Sequence, residues 1–220
     1  MKTSIGNLHM MWLMKSPTAL FSRLFELPWY RGMLEQWAAP LQKNDASVLE
    51  VGCAAGDFSR LLAQRNMRVS AVDSSSKMLE RAQKTASPVL FRQADAMQLP
   101  FSEQQFDIVM AASVLNVVDS PIAVLSEMRR VCREGGTVSV LVPEQSFSDA
   151  DAKLAAEPLS GISRAALLAW HRMAPKMDAD VLLGYFEECG MLKITSDNLL
   201  GGMVVAVSGN PVISHTMPAG

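Results

Sequence analysis

The segment Val48-Leu49-Glu50-Val51-Gly52-Cys53-Ala54-Ala55-Gly56 constrains this chain more than any other. It begins as an apolar run of strand length, turns through small residues, and enters an amphipathic stretch at Phe58, Leu61 and Leu62. A buried strand that passes at once into a helix is the opening unit of a parallel α/β sheet. The runs of strand length are Ser47–Gly52, Met67–Asp73, Val89–Ala94, Phe106–Ala112 and Gly136–Val142, with helical patterns between them. That alternation predicts an α/β fold with helices on both faces of the sheet.

The flanks depart from the alternation. Ser16 and Pro17 predict a capped helix carrying Leu20, Phe21, Leu24, Phe25 and Leu27, closed at Pro28. A second helical face follows at Tyr30, Met33, Leu34, Trp37 and Ala38, and Pro40 ends it. Ser120-Pro121 opens another helix, and Gly135-Gly136 turns it into the fifth strand. Asp180–Cys189 predicts a helix stopped by Gly190, followed by strands at Leu192–Thr195 and Met203–Val207. The stretch Glu144–Lys176 reads as an inserted helical cap. These boundaries give one domain: lid helices over 1–45, a cofactor-binding core over 46–143, the cap over 144–177, and a C-terminal helix with strands over 178–210.

Composition removes several classes. The chain has 220 residues with a formal charge of −2, so no bulk attraction for phosphate backbones exists and a general nucleic-acid binder is excluded. No run reaches the roughly 18 to 20 apolar residues of a membrane span. The apolar run Leu8 to Met14 is broken by Lys15 and Pro17, and reads as part of the folded protein. Three cysteines, Cys53, Cys132 and Cys189, have no metal-ligand spacing and leave one unpaired in any disulfide scheme. That usage implies a reducing, cytoplasmic setting and no metal site.

The turn Gly52–Gly56 lets a ligand approach the backbone, and the following helix offers free N–H groups. Asp73 ends the second strand about twenty residues later, where a carboxylate can accept hydrogen bonds from both ribose hydroxyls of an adenosine ligand. A helix cap is the alternative for Asp73, although Ser74–Ser76 could fill that position equally well. Together the turn and the acid point to a nucleoside cofactor without saying which.

The segments Gln93-Ala94-Asp95-Ala96-Met97-Gln98-Leu99-Pro100-Phe101 and Phe106–Ala112 narrow the choice. With the turn and Asp73, they resemble the class I S-adenosylmethionine-dependent methyltransferases, in particular the broad small-molecule group called type 11. The resemblance spans about Ala46 to Pro143 and the C-terminal strand pattern. It implies a Rossmann-like, seven-stranded, mostly parallel sheet of order 3-2-1-4-5-7-6, the last strand antiparallel, with a helical cap. It further implies that Glu50, Gly52, Cys53, Ala54 and Gly56 lie under the methionine part of S-adenosyl-L-methionine. Asp73 would hold the ribose, and Ser74 and Met78 would be further cofactor-binding residues. Asp95 would take the adenine amino group, with the Ala96 N–H and Met97 at the ring, and Ala112 would line the methyl-delivery site. One departure is Ala54, which replaces the middle glycine of the usual turn. It is tolerable with φ below zero, and it narrows the floor of the cleft.

The resemblance implies methyl transfer by in-line displacement, for which a catalytic base is optional. The segment Ala111-Ala112-Ser113-Val114 lacks the N-P-P-Y pattern of amino-methylating nucleic-acid enzymes, and no Pro-Cys nucleophile or second acidic cluster for magnesium is present. A small organic acceptor is therefore expected. Trp29, Tyr30, Trp37, Trp170 and His171 are acceptor-side candidates, with core packing as the plainer reading of each. His171 shares a helical face with Leu167 and Leu168 and could remove an acceptor proton; His9 and His215 have weaker claims. Residues Ser16–Ala39 and Ser146–Lys176 are expected to fold over the strand ends and enclose an apolar acceptor pocket. Fifteen methionines, several near the N-terminus, suit an adaptable pocket or a homodimer surface on the first helices. Two other functions remain open from sequence: a non-catalytic S-adenosylmethionine-binding protein, and an NAD-dependent dehydrogenase. The latter would want a third glycine where Arg60 stands.

Overall fold

A computed structural model describes residues 23–212. The expected cap at Ser16-Pro17, the run Leu8 to Met14, His9 and His215 lie outside the described residues. Arg23–Phe25 are helical and Leu24 is buried. Helix α1, Pro28–Ala38, starts on Pro28 because Leu27, preceding a proline, is held extended. Its buried face is Trp29, Tyr30, Met33, Leu34, Trp37 and Ala38.

The alternating core follows: β1 (Ser47–Val51), α2 (Asp57–Ala63), β2 (Arg68–Asp73), α3 (Ser76–Ala82), β3 (Leu90–Gln93), β4 (Phe106–Ala112), α4 (Pro121–Val131) and β5 (Cys132–Pro143). The cap contains α5 (Asp149–Ala155) and α6 (Gly161–Met173). Helix α7 (Ala179–Glu188), β6 (Met191–Leu199) and β7 (Val204–Pro211) complete the chain. The seven strands form one sheet in the order β3-β2-β1-β4-β5-β7-β6. Strand β7 runs antiparallel to both β5 and β6, and the remaining pairings are parallel. The sheet order and mixed sense expected from sequence are those observed.

Strand β5 starts at Cys132, four residues before the expected Gly136. Phe106 pairs with Cys132 and Ile108 with Thr137, so the chain bulges at Gly135-Gly136 without ending the ladder. A Cβ on Gly136 would lie 2.7 Å from the Asp107 carbonyl oxygen, which explains a glycine inside a strand. Strands β6 and β7 likewise extend beyond the expected segments.

Period-two alternation sends side chains to two cores. Val48, Val69, Ile108 and Met110 pack with α1, α2 and the cap on one face. Leu49, Val51, Val109 and Val140 pack with α4 and α7 on the other. Glu50 takes the face of Val48, at the strand's carboxyl end, and so points beneath α1 rather than into α4.

Candidate functional site

A cavity of about 360 Å³ opens at the carboxyl ends of β1, β2 and β4, where open α/β sheets bind ligands. Its floor is the turn after β1. The N–H groups of Gly52 and Cys53 both donate to the Val72 carbonyl, at 2.8 and 2.9 Å. Gly52 has φ +77°, and a Cβ there would fall 2.4 Å from Val114 Cγ2. The chain after β4 therefore packs directly on the turn. Gly56 has φ +76° and precedes α2, and a Cβ on it would strike the Phe91 ring at 2.5 Å. Gly56 shapes the turn from behind and does not line the cavity.

Ala54 departs from the expected negative φ: its φ is +46°. An alanine in the left-handed region costs about 1–2 kcal/mol. Asp73 offsets this, because the Ala54 N–H donates to Asp73 Oδ2 at 2.8 Å. The other oxygen, Oδ1, accepts from the Ser75 N–H at 2.9 Å. Ser75 is the cap of α3, its hydroxyl accepting from Met78 N–H. The capping function thus belongs to Ser75, and Asp73 joins the first turn to the second while lining the cavity. Ser113, after β4, also has a positive φ of 54°, and strain of this kind gathers at binding sites.

Asp95 lines the cavity wall beyond β3, its Oδ1 accepting from the Met97 N–H at 2.9 Å. Met97 itself points outward, 46% exposed, and lies outside the lining. Cys53, Ala54, Ser74, Met78, Ala96 and Ala112 line the cavity with Glu50, Gly52, Asp73 and Asp95. Sequence reasoning missed Phe25, Leu34, Asp57, Phe58, Val114 and Val117, which complete the walls. Asp57 had a signal, as the first residue beyond the turn. Phe25 and Leu34 fall within Ser16–Ala39, the segment expected to cover the strand ends, whereas Phe58, Val114 and Val117 had no such signal.

Glu50 is buried and accepts a hydrogen bond from the Ser59 hydroxyl. Burial pushes its carboxyl up to about 7, reinforced by Asp73 and Asp57 and opposed by the Ser59 bond and Arg60. Tyr30, on the roof, is pushed up to about 12 by burial and by the Glu50 charge. Burial also raises the Cys53 thiol, so it packs as an inert side chain. Among the described residues no Lys, Arg or His lines this cavity, while Glu50, Asp57, Asp73 and Asp95 all do.

The acceptor-side candidates separate. Tyr30 lines the cavity. Trp29 and Trp170 stand behind it, with ring centroids 5.8 Å apart, and Trp170 is 6.1 Å from Tyr30. Trp37 stacks on Phe58 and donates to the Ser139 hydroxyl at 2.8 Å, inside the core. His171 is 2% exposed, with its Nε2 3.1 Å from Asp149 Oδ1 and its ring against Phe147. Desolvation lowers its pKa. It does not line the cavity. The cap therefore buttresses α1 from outside, and α1 forms the roof.

Residues 49–140 match the family described as a methyltransferase domain. A phosphatidylethanolamine N-methyltransferase from Cereibacter sphaeroides is 39% identical over 110 residues, 47% of this chain and 54% of that protein. A demethylmenaquinone methyltransferase from Thermotoga maritima is 35% identical over 103 residues, 46% of this chain and 45% of that one. The chain thus covers about half the length of these curated relatives. Among solved structures, a SAM-dependent methyltransferase from Aquifex aeolicus superposes with a TM-score of 0.66 at 16% identity. That likeness covers 87% of this chain and 98% of the other, and concerns the fold.

Proposed function

We propose that this chain, whose residues 49–140 match the methyltransferase-domain family, is a class I methyltransferase that moves a methyl group from S-adenosylmethionine to a small organic acceptor by in-line displacement. The observation that carries this is the charge of the cleft: four acidic side chains line it and, among the described residues, no basic one does. A cofactor bearing a sulfonium and an ammonium group suits such a lining. A dinucleotide, whose two phosphates would meet those carboxylates, does not. The exposed backbone of the turn at Gly52–Ala55 and the acids after β2 and β3 suit the cofactor's shape as well as its charge.

When bound, the cofactor supplies a methyl group already activated by its sulfonium. The chain's own contribution is placement and dryness. Asp73 has both oxygens fixed by backbone N–H groups and still keeps lone pairs for the ribose hydroxyls. Asp95 and the Ala96 N–H would take the adenine. The Glu50 carboxyl, held by Ser59, would face the cofactor from the floor, and Tyr30, Phe25, Leu34 and Phe58 would keep water from the site. Tyr30 stays protonated at neutral pH, so its hydroxyl can orient an acceptor but not deprotonate one.

Calorimetry tests the binding half: S-adenosylmethionine should bind and NAD should not, and the opposite result sinks the proposal. Asp73→Ala should weaken binding by about ten- to a hundredfold, the equivalent of about 1.5–3 kcal/mol for the lost bonding to a charged group. Mass spectrometry of amine, hydroxyl and thiol acceptors incubated with enzyme and cofactor then tests catalysis. Tight binding with no methylated product from any class would favour a non-catalytic binding protein.

A further inference from the structure

On the methyl-transfer reading, the side chains beneath α1 select the kind of acceptor. The four acids of the first cavity are not equivalent. Asp57 is paired with Arg60 Nη2 at 2.7 Å. Asp73 and Asp95, at or just past the ends of β2 and β3, have oxygens tied to the backbone N–H groups of Ala54, Ser75 and Met97. Glu50 is the buried one. Its Oε2 accepts from the Ser59 hydroxyl, and its Oε1 has no hydrogen-bond partner among the described residues. That oxygen is not sealed in, as Glu144 Oε2 at the exit of β5 is, and Glu50 lines the cavity.

Tyr30 lines the same space from α1. Its hydroxyl has no hydrogen-bond partner among the described residues, is not sealed in either, and lies close enough to Glu50 to feel its charge. Phe25 and Phe58 add two further aromatic rings to the lining. Carboxylates and aromatic rings together favour an organic cation. Among the described residues the cavity offers no Lys, Arg or His to pair with an anion. At its mouth Val117, 57% exposed, carries apolar surface outward.

We propose that the acceptor is an aliphatic amine, its nitrogen held between Glu50 Oε1 and the Tyr30 hydroxyl and its apolar body leaving the cavity over Val117. An entering ammonium gives one proton to the Glu50 carboxylate. Burial pushes that carboxyl up to about 7, so it takes a proton more readily than an ordinary glutamate. The freed lone pair forms the N–C bond to the methyl group, and the S–C bond breaks with its electron pair left on sulfur. Positive charge thus passes from sulfur to nitrogen, and the acids that attract the cofactor also hold the product ammonium. A carboxylate or thiolate acceptor would instead meet four acidic side chains. An alcohol would need a stronger base than any side chain lining the cavity among the described residues.

Calorimetry on the full chain saturated with S-adenosylhomocysteine, the demethylated cofactor, reads acceptor binding without turnover. n-Hexylamine should bind saturably, with 1-hexanol, hexanoate and the short ethylamine each weaker by about tenfold or more. Glu50→Gln should weaken hexylamine binding by about tenfold or more and Tyr30→Phe by roughly two- to fivefold, with a smaller loss for 1-hexanol in each. If Glu50→Gln does not fold, Tyr30→Phe decides. Any of the three comparison ligands binding as tightly as n-hexylamine, or hexylamine affinity unchanged in whichever variant folds, overturns the proposal and leaves methyl transfer standing. Failure of S-adenosylhomocysteine itself to bind overturns the methyl-transfer reading, and the amine acceptor with it.

Discussion

A second cleft, of about 840 Å³, lies farther along the sheet's carboxyl edge, and the two clefts are built by different means. In the first, the backbone does most of the work: positive-φ residues at 52, 54 and 56 bend the chain, and Asp73 ties the bend to the next strand. In the second, side chains from β5, α5, α7 and the 200–202 turn meet across long stretches of sequence. A site made of backbone tolerates few residue types, whereas a site made of side chains on ordinary helices tolerates many. The difference predicts unequal sensitivity to small substitutions, and four measurements can break or sharpen it.

The largest effect is expected from Gly52→Ala. The added methyl would meet Val114 Cγ2 at 2.4 Å with φ at +77°, and strain plus overpacking should cost about 2–5 kcal/mol. Denaturant unfolding should register that loss, and Gly52→Ala with Val114→Ala should recover part of it. Full tolerance of the single substitution would erase the contrast between the clefts.

Next comes the acidity of Glu50. Its folded-state carboxyl is raised from 4.5 to about 7, so the folded protein binds this proton more tightly than the unfolded chain. Stability from that proton is fully present below about pH 4.5 and is lost as pH rises to about 7, by about 3 kcal/mol in all. Unfolding free energies across pH 4 to 8 should show the decline, and Glu50→Gln should remove that component.

His171→Ala should cost about 1–3 kcal/mol through its lost packing on Phe147 and lost bond to Asp149. Cofactor affinity measured by calorimetry should not change. A tenfold fall in affinity would mean that the cap shapes the first cleft directly instead of supporting α1.

Smallest is Ala54→Gly. Relief of the left-handed alanine, about 1–2 kcal/mol, is offset by about 0.5–1 kcal/mol of extra chain entropy in the unfolded state. A net gain below about 1 kcal/mol is expected in thermal unfolding. A clear destabilisation would show that the Ala54 methyl makes a contact of its own.

The same distinction governs what the sequence discloses. Glu50, Gly52, Asp73 and Asp95 stand out because strand ends and tight turns restrict residue type, and their order along the chain mirrors their order around the cavity. The sign of φ at Ala54 is hidden, because alanine almost always takes negative φ and only the Asp73 bond reverses this here. The early start of β5 is hidden too: Gly135-Gly136 reads as a turn, yet the ladder resumes beyond the bulge. Phe25, Leu34 and Val117 reach the cavity only through packing of distant elements. Glu144 looks like any surface glutamate after a strand until its burial is known.

Val114 fills the space that the missing Gly52 side chain leaves, while Val117, three residues on, is 57% exposed at the cavity mouth. A side chain at 52 requires a smaller residue at 114, so the floor of the first cleft and the start of this loop are bound to change together. Change at 117 carries no such debt. A duplicated copy of this gene could therefore vary the outer loop at 117 while inheriting the floor of the first cleft intact.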